Sequence, residues 1–144
     1  MRVVVDTNTL VSGLLWQGSP RRVLDAARTG TLQMYTTASL LAELEEVPQR
    51  PKFVQRLALA GVTSHTLVFG YTALARLIEP AEIAPVIIAD PDDDAVLACA
   101  VAARAEMIIS GDSHLLDLKD YEEIPIVTAA QLLTRITPEQ SADT

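Results

Sequence analysis

Two aspartates follow short apolar runs that are typical of β-strands. Asp6 comes directly after residues 3–5, and Asp112 follows residues 107–110 with Gly111 between them. Because the carboxyl ends of parallel strands meet at one edge of a sheet, carboxylates placed there could bind a metal ion or a phosphate together. Either residue could instead be a turn aspartate that only ends its strand.

Asp94 lies in an alanine-rich segment, residues 90–104, that we interpret as a helix. At about 100° per residue it shares a face with three apolar residues, Leu97, Ala98 and Val101. We therefore expect its carboxylate to face protein rather than water. The preceding acids Asp90, Asp92 and Asp93 are interpreted first as residues that cap the helix and favour its dipole, with Asp93 as a possible supporting residue.

Glu43 lies on a helix predicted over residues 39–47. It stands at the edge of an apolar stripe formed by Leu40, Leu44 and Val47, so its carboxylate can reach inward. A solvated helix face would also account for this residue.

Carboxylates gathered in one place repel one another unless a divalent cation neutralises them, and their hard oxygen atoms suit Mg²⁺ or Mn²⁺. Such a site can polarise a phosphate and lower the pKa of a bound water for in-line attack. No glycine-rich phosphate loop, Gly-x-Ser-x-Gly motif or Cys/His zinc spacing is present. We therefore predict a metal site that hydrolyses a phosphodiester, with four acidic members: Asp6, Glu43, Asp94 and Asp112.

The chain has two histidines and eleven Lys and Arg residues. We interpret His65 as a surface residue, and His114 as a supporting residue that could be an outer ligand or a phosphate contact. Five basic side chains could follow a nucleic-acid backbone, although ordinary solvated surface would also explain each one. They are Arg21, Arg22, Arg50, Lys52 and Arg56.

Composition indicates one domain of ordinary size, because the chain has 144 residues and is 49% hydrophobic. We assign residues 1–136 to this domain and residues 137–144 to a polar tail. The single Cys99 excludes an intrachain disulfide, and the apolar runs are too short for a signal peptide or a membrane span. We expect a cytoplasmic protein without a membrane partner.

A net charge of -8 argues against loose binding of nucleic acid through a basic surface. The charge is unevenly distributed, since residues 1–80 hold eight basic and six acidic side chains while residues 81–144 hold three and thirteen. The acidic half could form a metal site, a docking face for a basic partner or a soluble surface.

Strands and helices alternate along the chain, which predicts an α/β fold with a largely parallel sheet covered by helices. Strands are predicted at residues 3–5, 32–35, 107–110 and 126–127. Helices are predicted at residues 19–29, 39–47, 52–60, 63–77 and 90–104, and after a capping box formed by Thr128 and Gln131.

In this order the motifs resemble those of PIN-domain proteins, specifically the VapC-like toxin components of bacterial toxin-antitoxin systems. The similarity extends over residues 2–133. Four segments carry it: Val3-Val4-Val5-Asp6-Thr7-Asn8, residues 39–53 with Glu43 and Arg50-Pro51-Lys52-Phe53, Asp90-Pro91-Asp92-Asp93-Asp94, and Ser110-Gly111-Asp112.

The resemblance implies a three-layer PIN-like fold, dependence on Mg²⁺ or Mn²⁺, and endoribonuclease activity on RNA. It also implies a cognate antitoxin and a homodimer. By position, the four acidic roles fall to Asp6, Glu43, Asp94 and Asp112, and Thr7 and Asn8 resemble polar residues that brace the site. Ser110 is a further supporting candidate. The chain departs from the pattern at His114, where many PIN domains carry an acid, which leaves the second metal position open.

Two other functions fit parts of the sequence. One is a phosphatase that uses Asp6 as a nucleophile, although Asn8 stands where such enzymes carry a second aspartate. The other is a catalytically silent binding module whose acids serve stability or dock a basic antitoxin.

Overall fold

The fold is built on one sheet of six strands in the order β3-β2-β1-β4-β6-β5. The computed structural model describes residues 1–87 and 90–142, with side chains described as far as residue 136. All strand pairs are parallel except β5 with β6. The strands are β1 Arg2–Val5, β2 Gln33–Thr36, β3 Ala75–Leu77, β4 Met107–Ile109, β5 Asp120–Tyr121 and β6 Ile124–Val127.

Helices cover both faces of the sheet and make a three-layer structure. They are α1 Thr7–Leu15, α2 Ser19–Arg28, α3 Ala38–Glu46, α4 Pro51–Ala60, α5 Ser64–Thr72, α6 Pro91–Ala103, α7 Ser113–Leu118 and α8 Ala129–Ala142, with a 3₁₀ turn at Val47–Gln49. This architecture confirms the α/β fold with a central, largely parallel sheet that the sequence predicts.

Successive strand residues point into two separate cores, because side chains alternate across a pleated strand. Val3 and Val5 of β1 belong to a core with residues of α1, α2, α4 and α8. Val4 between them belongs to a second core, built with α6 and α7. The central strands β1 and β4 are therefore buried on both faces, as their continuous apolar runs indicate.

Several predicted boundaries are wrong for identifiable reasons. The helix predicted over residues 63–77 ends at Thr72, and Ala75–Leu77 forms edge strand β3 because it pairs in parallel with β2. Helix α1 begins at Thr7, where the sequence indicated a turn, because the Asp6 side chain caps it. Helix α7 and strand β5 were not predicted, since each is too short for a periodic pattern.

The C-terminal helix starts as predicted but ends later. Thr128 and Gln131 form the capping box, with the Thr128 amide 2.9 Å from Gln131 Oε1 and the Gln131 amide 3.1 Å from Thr128 Oγ1. Helix α8 then continues to Ala142, so most of the tail predicted over residues 137–144 is helical. Residues 143–144 of that predicted tail lie outside the described residues.

Gly13 allows helices α1 and α2 to cross closely. A Cβ atom at this position would lie 2.7 Å from the Pro20 carbonyl oxygen and 2.9 Å from Leu24 Cδ1. We expect Gly13→Ala to lower the free energy of unfolding by about 2 kcal/mol, because the helices must separate. Urea unfolding followed by circular dichroism measures this change.

Gly70 provides the matched control for that substitution. It lies in helix α5, and a Cβ atom there would meet nothing within 4 Å. Gly70→Ala should raise the free energy of unfolding by up to about 1 kcal/mol through helix propensity. Equal effects of the two substitutions would contradict the close contact at Gly13.

Candidate active site

Polar side chains collect beyond the carboxyl ends of the two central strands. Asp6 follows β1, Ser110 follows β4, and the strands pair in parallel with Val5 opposite Ile109. Ligand sites of parallel sheets form in this position because the strand ends and the following helix N-termini converge there. The prediction that Asp6 and Asp112 share one edge of the sheet is confirmed by this topology.

Asp6 is buried and held by hydrogen bonds from both sides. Its Oδ1 accepts from the Thr9 amide at 2.9 Å, and its Oδ2 accepts a hydrogen bond from the Ser110 hydroxyl. Ser110 Oγ in turn accepts from the Asp112 amide at 2.9 Å, so one serine connects the two aspartates. Burial raises the pKa of Asp6 and the charge of Asp112 adds to this, while the hydrogen bonds from Ser110 and Thr9 oppose it.

Asp93 provides the carboxylate of helix α6 that faces this group. It is 7% exposed, and its Oδ2 is buried without a hydrogen-bond partner among the described residues. Burial, followed by contact with the Asp112 carboxyl and the negative charges around it, raises the pKa of Asp93 to about 8. Metal-free, this carboxyl therefore favours the protonated form near neutral pH.

Asp112 and His114 complete a compact set of possible ligands. Asp112 caps helix α7 through a 3.1 Å contact with the Leu115 amide. His114 Nδ1 lies 3.9 Å from Asp93 Oδ2 and 3.9 Å from Asp112 Oδ2. One ligand atom from each of the three side chains lies within 4.8 Å of the others.

These donors fit a divalent cation. A buried carboxylate oxygen without a donor is unfavourable, and a cation supplies the positive charge that it lacks. Two carboxylates and one imidazole are ligands that Mn²⁺ and related ions accept. Asp93, Asp112 and His114 are therefore the side chains that could hold the ion.

Asp94 does not join this group, which corrects the sequence-based choice of helix residue. Its carboxylate accepts hydrogen bonds from the backbone amides of Val86, at 3.2 and 3.3 Å, and Ile87, at 2.9 Å. The expectation that it faces protein holds, but the protein that it faces is the loop before α6. Asp93, one residue earlier and turned by about 100°, points to the strand ends instead.

Glu43 lies beside the group rather than within it. It is half-buried on α3, and burial raises its pKa, while contact with the Thr7 side chain opposes that shift. The charges of Asp92 and Asp90 raise its pKa further. Glu43 therefore lies near the N-terminal turn of α6.

A cavity of about 350 Å³ opens next to Asp112. The residues that line it are Asn8, Thr9, Ser12, Pro20, Lys52, Gly111 and Asp112. Asn8 shares this wall with Asp112, and the buried Thr7 contacts Glu43 through its side chain. Lys52 brings a positive charge to the cavity wall.

The other basic candidates have different surroundings. Arg56 Nε donates to the Leu15 carbonyl at 2.8 Å, and its guanidinium lies 5.5 Å from the Trp16 ring centre. Arg50 forms an ion pair with Glu46 at 2.7 Å. Arg21 Nη1 lies 3.4 Å from the Gly13 carbonyl oxygen, and Arg22 is exposed on the same helix.

The fold and site define a class of protein: an α/β domain with an acidic group beyond the ends of its central parallel strands. The sequence model described as PIN domain matches residues 2–114. The chain belongs to the PIN domain family, which confirms the resemblance found in its motifs. Comparison with curated protein sequences gives no significant match.

One similar solved structure is described as VapBC2 from Rickettsia felis bound to a DNA fragment from their promoter. The superposition has a TM-score of 0.56 at 15% sequence identity, and it covers 88% of this chain and 97% of that chain. At this identity the likeness concerns the fold. Within residues 1–87 and 90–142, no helix combines the length and apolarity needed to cross a bilayer.

Proposed function

We propose that this PIN domain is a metal-dependent endoribonuclease, the toxin of a toxin-antitoxin pair, that acts in the cytoplasm. The observation that carries the proposal is the buried, unpaired Oδ2 of Asp93 beside Asp112 and His114. Without a cation these two carboxyls must share a proton, because Asp93 contacts Asp112 and its pKa is raised, whereas a divalent ion would let both ionise.

In this proposal Asp93 and Asp112 hold Mg²⁺ or Mn²⁺, and Asp6 and Glu43 lie around the ion. This assignment replaces Asp94 by Asp93 in the predicted acidic set. When bound, the ion would polarise the phosphate and lower the pKa of a water molecule.

The side chains around the ion have separate tasks. Ser110 and the Thr9 amide fix the Asp6 carboxylate in one orientation. Because Ser110 also accepts from the Asp112 amide, the buried Asp6 carboxylate would hold Asp112 in place rather than react itself. Lys52, on the wall of the adjoining cavity, would contact a substrate phosphate.

The choice of RNA as substrate is supported by the motif resemblance to VapC-like toxins. Lys52 on the cavity wall gives a phosphate contact but does not distinguish ribose from deoxyribose, so the substrate has to be tested with both nucleic acids.

An antitoxin partner and a homodimer are part of the same proposal. Support comes from the similar structure, which is described as a VapBC2 complex. Large apolar side chains on the surface agree with protein partners, since Leu59 is 80% exposed, Phe69 74% and Leu77 63%.

The alternative functions have less support. A phosphatase would need Asp6 as a free nucleophile, but this residue is 4% exposed and both its oxygens accept hydrogen bonds. A silent docking module would not require two carboxyls in contact and a histidine nitrogen 3.9 Å from both.

Cleavage of labelled RNA, with and without a chelator, tests the proposed activity. We expect purified protein to cut single-stranded RNA in Mg²⁺ or Mn²⁺, and to lose at least about a hundredfold in rate when EDTA removes the ion. Single-stranded DNA of the same sequence is the substrate control. Cleavage that persists in EDTA, or none under any metal condition, would contradict the proposal.

Lys52→Ala should weaken substrate binding rather than the chemical step. We expect KM for RNA to rise about fivefold with kcat nearly unchanged, and the salt dependence of binding to decrease by about one charge. Arg28→Ala is the control, because Arg28 ends α2, which leads into the amino-terminal end of β2, and the site lies beyond the carboxyl ends of the strands. A fall in kcat without a change in KM would argue against a phosphate contact.

A further inference from the structure

His114 is placed where an imidazole nitrogen can share an ion with the two aspartates. It lies in the first turn of α7, two residues after the Asp112 cap, and faces Asp93 of α6. Its side chain is 52% exposed. The site therefore combines one buried carboxylate, one partly buried carboxylate and one accessible nitrogen.

The separations distinguish ligation from a direct hydrogen bond. Nδ1 lies 3.9 Å from each aspartate Oδ2, which is beyond hydrogen-bond distance. Two ligand atoms that are each about 2.1 Å from one ion lie roughly 3.0 to 4.2 Å apart. The distances from His114 Nδ1 to both carboxylate oxygens therefore fall in the range expected between two ligand atoms of one ion.

A second observation points to a ligand in the same place. Asp93 Oδ2 is buried with no hydrogen-bond donor among the described residues, while the Asp93 carboxyl contacts that of Asp112 and its Oδ2 lies 3.9 Å from His114 Nδ1. If the imidazole were only a partner for the carboxylate, a contact below about 3.2 Å would satisfy this oxygen. The gap that remains can hold an ion instead.

We propose that His114 Nδ1 is a metal ligand, and that the site therefore prefers Mn²⁺ to Mg²⁺. The proposal rests on the metal dependence of the proposed function and specifies its ion. Mg²⁺ takes oxygen ligands almost exclusively, whereas imidazole nitrogen binds first-row transition ions. Ligation through Nδ1 leaves the proton on Nε2, which the exposed side chain can direct to water.

Titration with Mn²⁺, followed by electron paramagnetic resonance, tests both parts of the proposal. We expect the Kd for Mn²⁺ to be at least about tenfold lower than the Kd for Mg²⁺, which is measured by competition with Mn²⁺. Pulsed measurements on bound Mn²⁺ should show modulation from a directly coordinated ¹⁴N nucleus. Both readouts use the intact protein and do not depend on RNA cleavage.

Three variants separate the contribution of the nitrogen from general effects. His114→Ala should weaken Mn²⁺ binding about tenfold and remove the ¹⁴N signal, with a smaller loss for Mg²⁺. His114→Asp should bind both ions but shift the preference toward Mg²⁺. His65→Ala, which changes an exposed histidine on α5, should leave both readouts unchanged.

The outcomes distinguish failure of this inference from failure of the proposed function. Tight Mn²⁺ binding without ¹⁴N coupling, or an equal loss for both ions in His114→Ala, would overturn the ligand role and leave metal-dependent cleavage standing. If no divalent ion binds the unchanged protein, both proposals are wrong.

Discussion

Asp93→Asn is expected to lower the rate of metal-dependent RNA cleavage by at least about a hundredfold, whereas Asp94→Asn should keep it within about tenfold of the unchanged protein. The first substitution removes the buried charge that faces Asp112 and His114. The second leaves an amide oxygen that can still accept from the Val86 and Ile87 amides. Single-turnover cleavage at saturating Mn²⁺ measures both rates.

Metal binding and folding must be measured on the same variants. Asp93→Asn should bind Mn²⁺ at least about tenfold more weakly with an unchanged circular dichroism spectrum, while Asp94→Asn should bind it normally. Asp94→Ala, which removes the acceptor, should cost about 1 to 3 kcal/mol of stability by releasing the loop before α6. If Asp94→Asn were inactive and Asp93→Asn active, the assignment of Asp93 to the site would be wrong and Asp94 would take its place.

The difference between Asp93 and Asp94 explains why the sequence could not identify the helix residue. Apolar residues occur on all sides of α6, so the periodicity of its sequence defines no single buried face. Both aspartates therefore fit a buried position. Asp93 shares a face with Val96, Ala100 and Ala103, all buried, whereas the face chosen for Asp94 ends at the half-buried Val101. A comparison of the two faces over the full length of the helix could have distinguished Asp93 from Asp94.

Residues that follow central strands were predictable for a simpler reason. Asp6 and Asp112 come directly after buried runs, and the parallel pairing of β1 with β4 brings the ends of those runs together. The alternation of strands and helices similarly predicts the layers of the fold. Topology alone therefore determines this part of the site.

Contacts that depend on distant segments could not be predicted. Strand β3 forms because β2 lies beside it, although its residues continue a helical pattern. The position of His114 depends on the short helix α7 and on how α6 packs against it. The spacing of residues along the chain predicts neither the β2–β3 pairing nor the contact of His114 with α6.

The metal-free protein should become less stable as pH rises from 5 to 8, with a decrease in Tm of at least about 5 °C. The pKa of Asp93 in the folded protein is about 8, against the ordinary value of 3.8 for an aspartate in the unfolded chain. Between these values the folded state binds the additional proton, so stability is full below pH 4 and is lost as pH approaches 8. The pKa shifts of Asp6 and Glu43 have the same direction.

Thermal unfolding in EDTA across this pH range measures the effect, and Asp93→Asn is the matched control. The amide has no proton to lose, so this variant should be more stable than the unchanged protein at pH 8 and should lose less stability between pH 5 and 8. If the stability of Asp93→Asn fell as steeply between pH 5 and 8, the pH dependence would arise from other groups.

A divalent cation should reverse this dependence, because it binds the ionised carboxylates and competes with the proton. Saturating Mn²⁺ is expected to raise Tm slightly at pH 5 and most strongly at pH 8, where Asp93 loses its proton more readily. The ionised Asp93 carboxylate thus destabilises the metal-free protein and stabilises the Mn²⁺-bound protein. Stabilisation by Mn²⁺ that did not grow with pH would mean that the ion binds away from Asp93.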